Sequence, residues 1–235
     1  ELTPAEMAHY YDASAWYPSS SRVLKFGSGA PLFVGCGLGG ADAQCDTTAT
    51  WRNNVVRYTD SAALLLARSG GDVLENNVFE YVDYAAVGNA FSIDTMTALG
   101  RVHYTRNTLR FGGASEGYRS GKGGSTGELN HHSRLGLCQH DGASFQGGAT
   151  GATDSVWAYN WVEDTAKLGL RFDAGSDGVF GHNGTMHHNV VSGALNGFQV
   201  KGFGHVIANN VAIASRDPTG EGAQEDGGGG GGAQR

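Results

Sequence analysis

Apolar residues along this chain come in short bursts that alternate with polar ones. Leu168-Gly-Leu-Arg-Phe-Asp173, Asn196-Gly-Phe-Gln-Val-Lys201 and Asp141-Gly-Ala-Ser-Phe-Gln146 carry apolar side chains at alternate positions. Period two marks a strand with one face buried, and none of these segments is long enough for a helix. The longest apolar run, Ala62–Ala67, is strand-sized and far short of a membrane span.

A second marker recurs beside the first. Asn followed by a short apolar or β-branched stretch occurs at Asn54, Asn77, Asn107, Asn160, Asn189 and Asn210, with a weaker copy at Asn130. Separations of roughly 20–30 residues are those of solenoid coils. After each Asn strand comes a Gly-containing or polar turn and then another short alternation. These features predict an all-β fold, a right-handed parallel β-helix of about seven coils, with two or three strands per coil. The Asn side chains would stack rung on rung at one bend, each amide bonding the next. Such a ladder satisfies polar groups that a turn would otherwise bury unpaired. Helical segments of the length an α/β alternation needs are missing.

The flanks do not repeat. Residues 1–50 carry Pro4, Pro18 and Pro31 and a Gly35–Gly40 loop. They predict a cap over the first rung, with a short helix at Ala5–Tyr11 and a strand near Val23–Phe26, because an open β-helix end is a sticky edge. Residues 51–215 form the predicted solenoid. Residues 216–235 include six consecutive Gly and predict a disordered tail. The first residue is not Met and no convincing cap follows the last repeat, which points to a mature chain or a part of a longer one; a monomer is the other expectation.

Composition narrows the function. Gly is abundant at 39 residues against 4 Pro, as many tight turns require. With 16 Lys+Arg, 23 Asp+Glu and a net charge of -7, the chain lacks the basic excess of a nucleic-acid binder. Cys36 and Cys45 stand where a small loop disulfide would close, leaving Cys138 odd; three free thiols is the alternative. Asn183-Gly184-Thr185 is a glycosylation sequon. Ser120-Gly-Lys122-Gly-Gly lacks the ending and the helix of a phosphate loop.

Candidate chemistry follows from alternation. With Leu170, Phe172, Phe198, Val200, Ala143 and Phe145 facing in, their neighbours face out. Stacking the strands predicts two outward columns, one of Ser144, Arg171 and Gln199, the other of Gln146, Asp173 and Lys201. Neighbours in a column lie about 4.8 Å apart. Glu116 is the expected extension of the second column, and Asp141 and His140 flank the strand that carries Ser144. A ladder of opposite charges on adjacent strands, stabilising by ~0.2–1 kcal/mol per pair, accounts for the same residues without chemistry.

Several motifs resemble a known group of proteins. They are Glu75-Asn-Asn-Val-Phe-Glu-Tyr81, Gly113–Glu116, Asp141–Ala143, Tyr159–Asp164, Arg171–Asp173, His187–Val191 and Val200–Gly202. Over roughly Trp51 to Ser215 the chain is similar to the pectate-lyase-like superfamily of right-handed β-helices, which includes polysaccharide lyases and related glycoside hydrolases. The resemblance implies an extracellular or cell-surface protein with a polysaccharide partner and no membrane span. One fold hosts many activities, so chemistry has to come from residues.

Three readings follow. A lyase acting on a uronate-containing glycan needs a cation for the sugar carboxylate and a base for the neighbouring proton. Arg171 suits the first role, being permanently charged and bidentate. Lys201 is a base candidate, although Asp173 beside it favours its protonated form; His131, His132 and His140 are alternatives. The resemblance also raises Ca²⁺ as the neutraliser, but only dispersed Asp141, Asp164 and Asp173 are present, and no cofactor or metal ligand set is assigned. A glycoside hydrolase needs two carboxylates, and Glu116 with Asp173, two rungs apart at about 9.6 Å, approaches the ~6.5–9.5 Å of inverting enzymes. A non-catalytic carbohydrate-binding or cell-surface structural β-helix is the third. Long turns at Phe111–Glu128 and Gln146–Ser155 are the expected cleft walls for an enzyme. The adjacent pairs His131-His132 and His187-His188 should each split across a strand. Tyr81, Tyr84, Trp157, Tyr159 and Trp161 are either packing or sugar-stacking residues.

Overall fold

The computed structural model describes residues 32–35, 48–67, 69–84, 91–98, 100–114, 116–139, 141–175 and 178–213. The first triplet of strands is β1 (Leu32–Gly35), β2 (Thr50–Arg52) and β3 (Val55–Arg57). It recurs as β4 (Leu64–Ala67), β5 (Val73–Glu75) and β6 (Val78–Val82), then as β7 (Phe91–Thr97), β8 (His103–Thr105) and β9 (Thr108–Ala114). Next come β10 (Glu116–Ser120), β11 (Thr126–Glu128) and β12 (His131–Gln139). The fifth triplet is β13 (Ala143–Gly147), β14 (Val156–Ala158) and β15 (Trp161–Glu163), with the one-turn helix α1 (Ala149–Ala152) after β13. The remaining strands are β16 (Leu168–Phe172), β17 (Thr185–His187) and β18 (Val190–Ser192), then β19 (Asn196–Val200), β20 (Val206–Ala208) and β21 (Val211–Ile213).

Each strand pairs in parallel with its counterpart in the next triplet, which gives three seven-stranded sheets. Sheet A runs from β1 to β19, sheet B from β2 to β20 and sheet C from β3 to β21. The chain is therefore a right-handed parallel β-helix. Sheet A starts at Leu32, inside the segment expected to form a cap. The expected helix at Ala5–Tyr11, the strand near Val23–Phe26, Cys36, Cys45 and the 216–235 tail lie outside the described residues. Cys138 is a free, exposed thiol. Phe111–Glu128 is largely strand (β9, β10, β11) rather than a wall, and Gln146–Ser155 contributes the short α1.

The bend between sheets B and C holds the Asn ladder: Asn54, Asn77, Asn107, Asn130, Asn160, Asn189 and Asn210. Each Oδ1 from Asn77 onward accepts both the backbone N–H and the Nδ2 of the Asn one rung earlier, at 2.8–3.2 Å. The second Nδ2 proton goes to a sheet B carbonyl, as Asn130 does to Tyr104 O at 2.9 Å. The weak repeat at Asn130 is a full member. The residue before every ladder Asn is left-handed: Asn53, Asn76, Arg106, Leu129, Tyr159, His188 and Asn209 have φ of 54–60°. That conformation turns the chain sharply enough for the next side chain to point inward.

Inward side chains form columns along the axis. Leu74, Tyr104, Trp157 and Met186 come from sheet B, Phe79, Leu109, Val162 and Val191 from sheet C, and Ile93, Tyr118, Phe145 and Leu170 from sheet A; all are buried. His132 joins this core. Its Nε2 lies 2.8 Å from Tyr104 Oη and its Nδ1 2.8 Å from Ser144 Oγ, and its ring stacks on Phe145. Burial, with His131 adding, pushes its pKa down to about 3, so it is a neutral structural side chain and not a base for substrate.

Outward columns are polar. Glu80 is buried between Arg57 and Arg110, and Glu75 pairs with Arg52 and Arg106. His131 faces out as expected, bonding Glu163 at 2.9 Å. The pair His187-His188 departs from expectation: its rings do not split across a strand, because His188 is left-handed and its Nδ1 lies 2.9 Å from His187 Nδ1. Of the aromatic residues singled out above, Trp157 and Tyr84 are buried, Tyr81 stacks between Tyr58 and Phe111, and Tyr159 and Trp161 are about half exposed.

Candidate functional site

Sheet A sets the site. Backbone pairing aligns Asp94 with Arg119, Arg119 with Gln146, Gln146 with Arg171 and Arg171 with Gln199. This one polar column across five strands replaces the expected one in part. Gln146, not Ser144, is the neighbour of Arg171, because Phe145 pairs with Leu170. Ser144 is fully buried and bonds His132 in the core, so it is not a surface residue.

Beyond the column, Asp173 collects three side chains. Arg171 Nη2 lies 2.5 Å from Asp173 Oδ2, Lys201 Nζ 2.8 Å from Oδ1, and Gln146 Nε2 donates to Oδ2 at 3.2 Å. Burial pushes the Asp173 carboxyl up, but the Lys201 hydrogen bond, one from the Ala174 backbone N–H and the nearby cations outweigh it and hold it below the ordinary range. Lys201 is thus engaged as the counter-ion of Asp173, and an amine locked in an ion pair is a poor general base.

On the other flank sits Glu116, three residues before Arg119. It is buried (5% exposed), packed under Gly142. A Cβ on Gly142 would fall inside the Glu116 side chain, and Gly142 has φ 96°; only glycine fits there. Burial pushes the Glu116 carboxyl up to about 8, partly opposed by Arg119 and Arg171 and reinforced by Asp141 and Asp94. Asp141, just before β13, behaves oppositely. A hydrogen bond from Lys167 Nζ at 3.0 Å and one from the Gly142 N–H at 2.9 Å hold it below the usual carboxylate range. Two neighbouring carboxyls are therefore split in protonation, one neutral and one ionised near pH 7.

Glu116 and Asp173 are not a pair. Glu116 aligns with Phe91 in β7 and, through Tyr118 and Phe145, with Ala143 and Leu168. Asp173 lies five residues past Leu168, so the two are roughly 16 Å apart along the strands on top of about 9.6 Å across them. The carboxyl near Glu116 is Asp141. His140 lies outside the described residues.

Four polar atoms of this face are buried with no protein partner: Glu116 Oε2, Gln146 Oε1, Arg171 Nε and Gln199 Oε1. Buried polar groups are nearly always hydrogen-bonded, and these four leave unmet hydrogen-bonding capacity along sheet A. Among the described residues no group of three or more His, Cys, Asp or Glu side chains is placed to hold a metal ion, and Asp141, Asp164 and Asp173 remain dispersed. A recess near Val191, Leu195, Ala212 and Ile213 lies at the last rung, away from these charges. Among the described residues no helix is long and apolar enough to cross a membrane. Asp94, Arg119 and Lys167 were not singled out from sequence; only the strand register reveals them.

Comparison of the chain with protein-family models, curated proteins and solved structures returns no match.

Proposed function

We propose that the outer face of sheet A binds an acidic polysaccharide and that the protein is a polysaccharide lyase acting on a uronate-containing glycan. The carrying observation is Glu116: a buried carboxyl with an unpartnered oxygen, beside two arginines, on a face with three further unpartnered polar atoms. Mutual pairing of charges would serve a scaffold equally well; a buried, neutral carboxyl coupled to Arg119 and Arg171 goes beyond that. Rungs advance about 4.8 Å, close to the length of one sugar in an extended chain, so successive rungs meet successive residues. An extracellular or cell-surface location goes with a polymeric glycan as substrate.

In the elimination, Arg171 and Arg119 neutralise the uronate carboxylate and so acidify the adjacent C5 proton. Ionised Glu116 takes that proton. The C–H electron pair forms the C4=C5 bond, the C4–O4 bond breaks, and Glu116 returns the proton to O4. No water is consumed, and the products are an unsaturated uronate end and a new reducing end. Asp173 and Lys201 hold Arg171 in place and extend the binding face.

Glycoside hydrolysis is the second reading, favoured by the opposite protonation of Glu116 and Asp141, which suits an acid and a base. The two make opposite demands on Glu116. As a base it must be ionised, so lyase activity rises as pH passes about 8; as an acid it must be protonated, so hydrolysis falls there. The test incubates the chain with uronate and neutral polysaccharides and follows ultraviolet absorbance of unsaturated ends together with reducing ends. Both signals rising, with a rate that climbs through pH 8 and activity abolished in Glu116→Gln and in Arg171→Ala, support the lyase. Reducing ends alone, declining above pH 8, move the assignment to hydrolysis. Neither signal from folded protein leaves a carbohydrate-binding or structural β-helix.

A further inference from the structure

The cations of the sheet A column do not occur on every rung. Arg119, Gln146, Arg171 and Gln199 are consecutive partners on β10, β13, β16 and β19, so guanidinium and neutral amide alternate. The two arginines stand two rungs apart, about 9.6 Å at Cα level, which matches a disaccharide of an extended glycan rather than a single sugar.

The intervening positions are suited to a neutral sugar. Gln146 is buried, its amide N–H anchored on Asp173 and its Oε1 without a partner; Gln199 Oε1 is likewise unpartnered. A buried amide oxygen accepts a hydroxyl or an N–H but repels a carboxylate, which carries no proton to donate. Arg171 Nε, by contrast, is a buried donor with nothing to bond, as a carboxylate requires. Arg171 shares Asp173 with Lys201, and Lys167 is held by Asp141; of these cations it is Arg171 that keeps a buried donor, Nε, without a partner.

We infer that the glycan recognised here carries one carboxylate per disaccharide: a polymer in which a uronic acid alternates with a neutral, hydroxyl- or amide-bearing sugar. Arg119 and Arg171 take the uronates, and Gln146 and Gln199 take the sugars between. This rests on the reading of sheet A as a glycan-binding face, but not on whether the bond is broken by elimination or hydrolysis.

Binding separates the two claims. Affinity electrophoresis of the full chain at neutral pH compares polygalacturonate and alginate, with a carboxylate on every sugar, against hyaluronan and unsulfated chondroitin, with one on every second, all matched in uronate concentration. Retardation by the alternating polymers at tenfold or more lower concentration is expected. Gln146→Arg, which puts a guanidinium on the middle rung beside Asp173, should narrow or reverse that preference. Equal or tighter binding of the homopolyuronates by the natural chain overturns the alternation while leaving an acidic-glycan face intact. Binding of neither class by folded protein overturns both. If Gln146→Arg does not fold, the natural chain's preference alone decides.

Discussion

Truncating Asn130 to alanine removes the middle link of the ladder, and the loss can be counted bond by bond. Its side chain donates to Tyr104 O at 2.9 Å and to Asn160 Oδ1 at 3.0 Å, and accepts from Asn107 N–H at 2.8 Å and Asn107 Nδ2 at 3.2 Å. Two partners keep other bonds: Asn160 Oδ1 still accepts the Asn130 N–H, and Asn107 Nδ2 still donates to Leu74 O. The Asn107 N–H keeps none and is stranded in the interior. A stranded buried donor costs ~1–3 kcal/mol and each lost neutral hydrogen bond ~0.5–1.5 kcal/mol. After partial relaxation the expected loss is about 3–5 kcal/mol. Asn54, at the first rung and only half buried, is the control. Its side chain makes one ladder bond, to Asn77 Oδ1, which also accepts the Asn54 N–H, so Asn54→Ala should cost about 1 kcal/mol or less. Urea unfolding followed by far-ultraviolet circular dichroism measures both. Amide exchange shows whether the damage stays near the mutated rung, as the nearest-neighbour energetics of a solenoid allow. Equal costs for the two variants would refute the view that reciprocal side-chain bonding, rather than turn conformation alone, holds this bend.

Other outcomes follow from single features. Leu129 is exposed and left-handed at φ 58°, a conformation that costs ~1–2 kcal/mol in most residues and less in asparagine; Leu129→Asn should raise the urea midpoint, most of that cost being recovered. Asp83 and Glu116 are both pushed up to about 8, by burial first and by neighbouring carboxylates second. Raised folded values mean that their stabilising effect is full below the unfolded range near ~4 and is lost as pH rises through about 8. His132, held down to about 3 by burial, acts the other way, losing stability only below its unfolded value of ~6.5. The urea midpoint should therefore fall most steeply between pH 6.5 and 8, and Asp83→Asn should flatten that fall. Gly142→Ala meets both a positive φ and the Glu116 side chain, so it should cost more than ~1 kcal/mol and, by pushing Glu116 toward water, move any Glu116-dependent activity limb to lower pH.

The fold was legible because its signals are local and redundant. Seven asparagines at coil spacing, each followed by a short apolar strand, specify a bend, a strand and a period together, and even the atypical Asn130-His-His rung bonds like the rest. Face assignment holds for Leu170 and Phe172, which are core, and for Arg171 and Gln199, which share an outer column. It fails at Ser144, which turns inward to His132, and where a left-handed residue breaks the alternation. His188 is one such residue, and its ring swings round to meet His187.

The site was harder for a related reason. Alternation tells which face a residue takes but not how far one strand slides against the next, and a slip of two residues keeps every face unchanged. Ser144 and Gln146 have the same parity, so nothing in the pattern prefers one as the neighbour of Arg171. The structure decides: Phe145 meets Leu170, so Gln146 stands beside Arg171, and Ser144, despite sharing its parity, turns inward to His132. The same offset aligns Gln146 with Arg119, a residue with no distinctive neighbours in sequence. Glu116 lies three positions before Arg119, the residue that stands in line with Gln146, and is packed under Gly142. Gly142 bears on Glu116 directly, since a Cβ there would fall inside its side chain, whereas the spacing of the arginines follows from the backbone register.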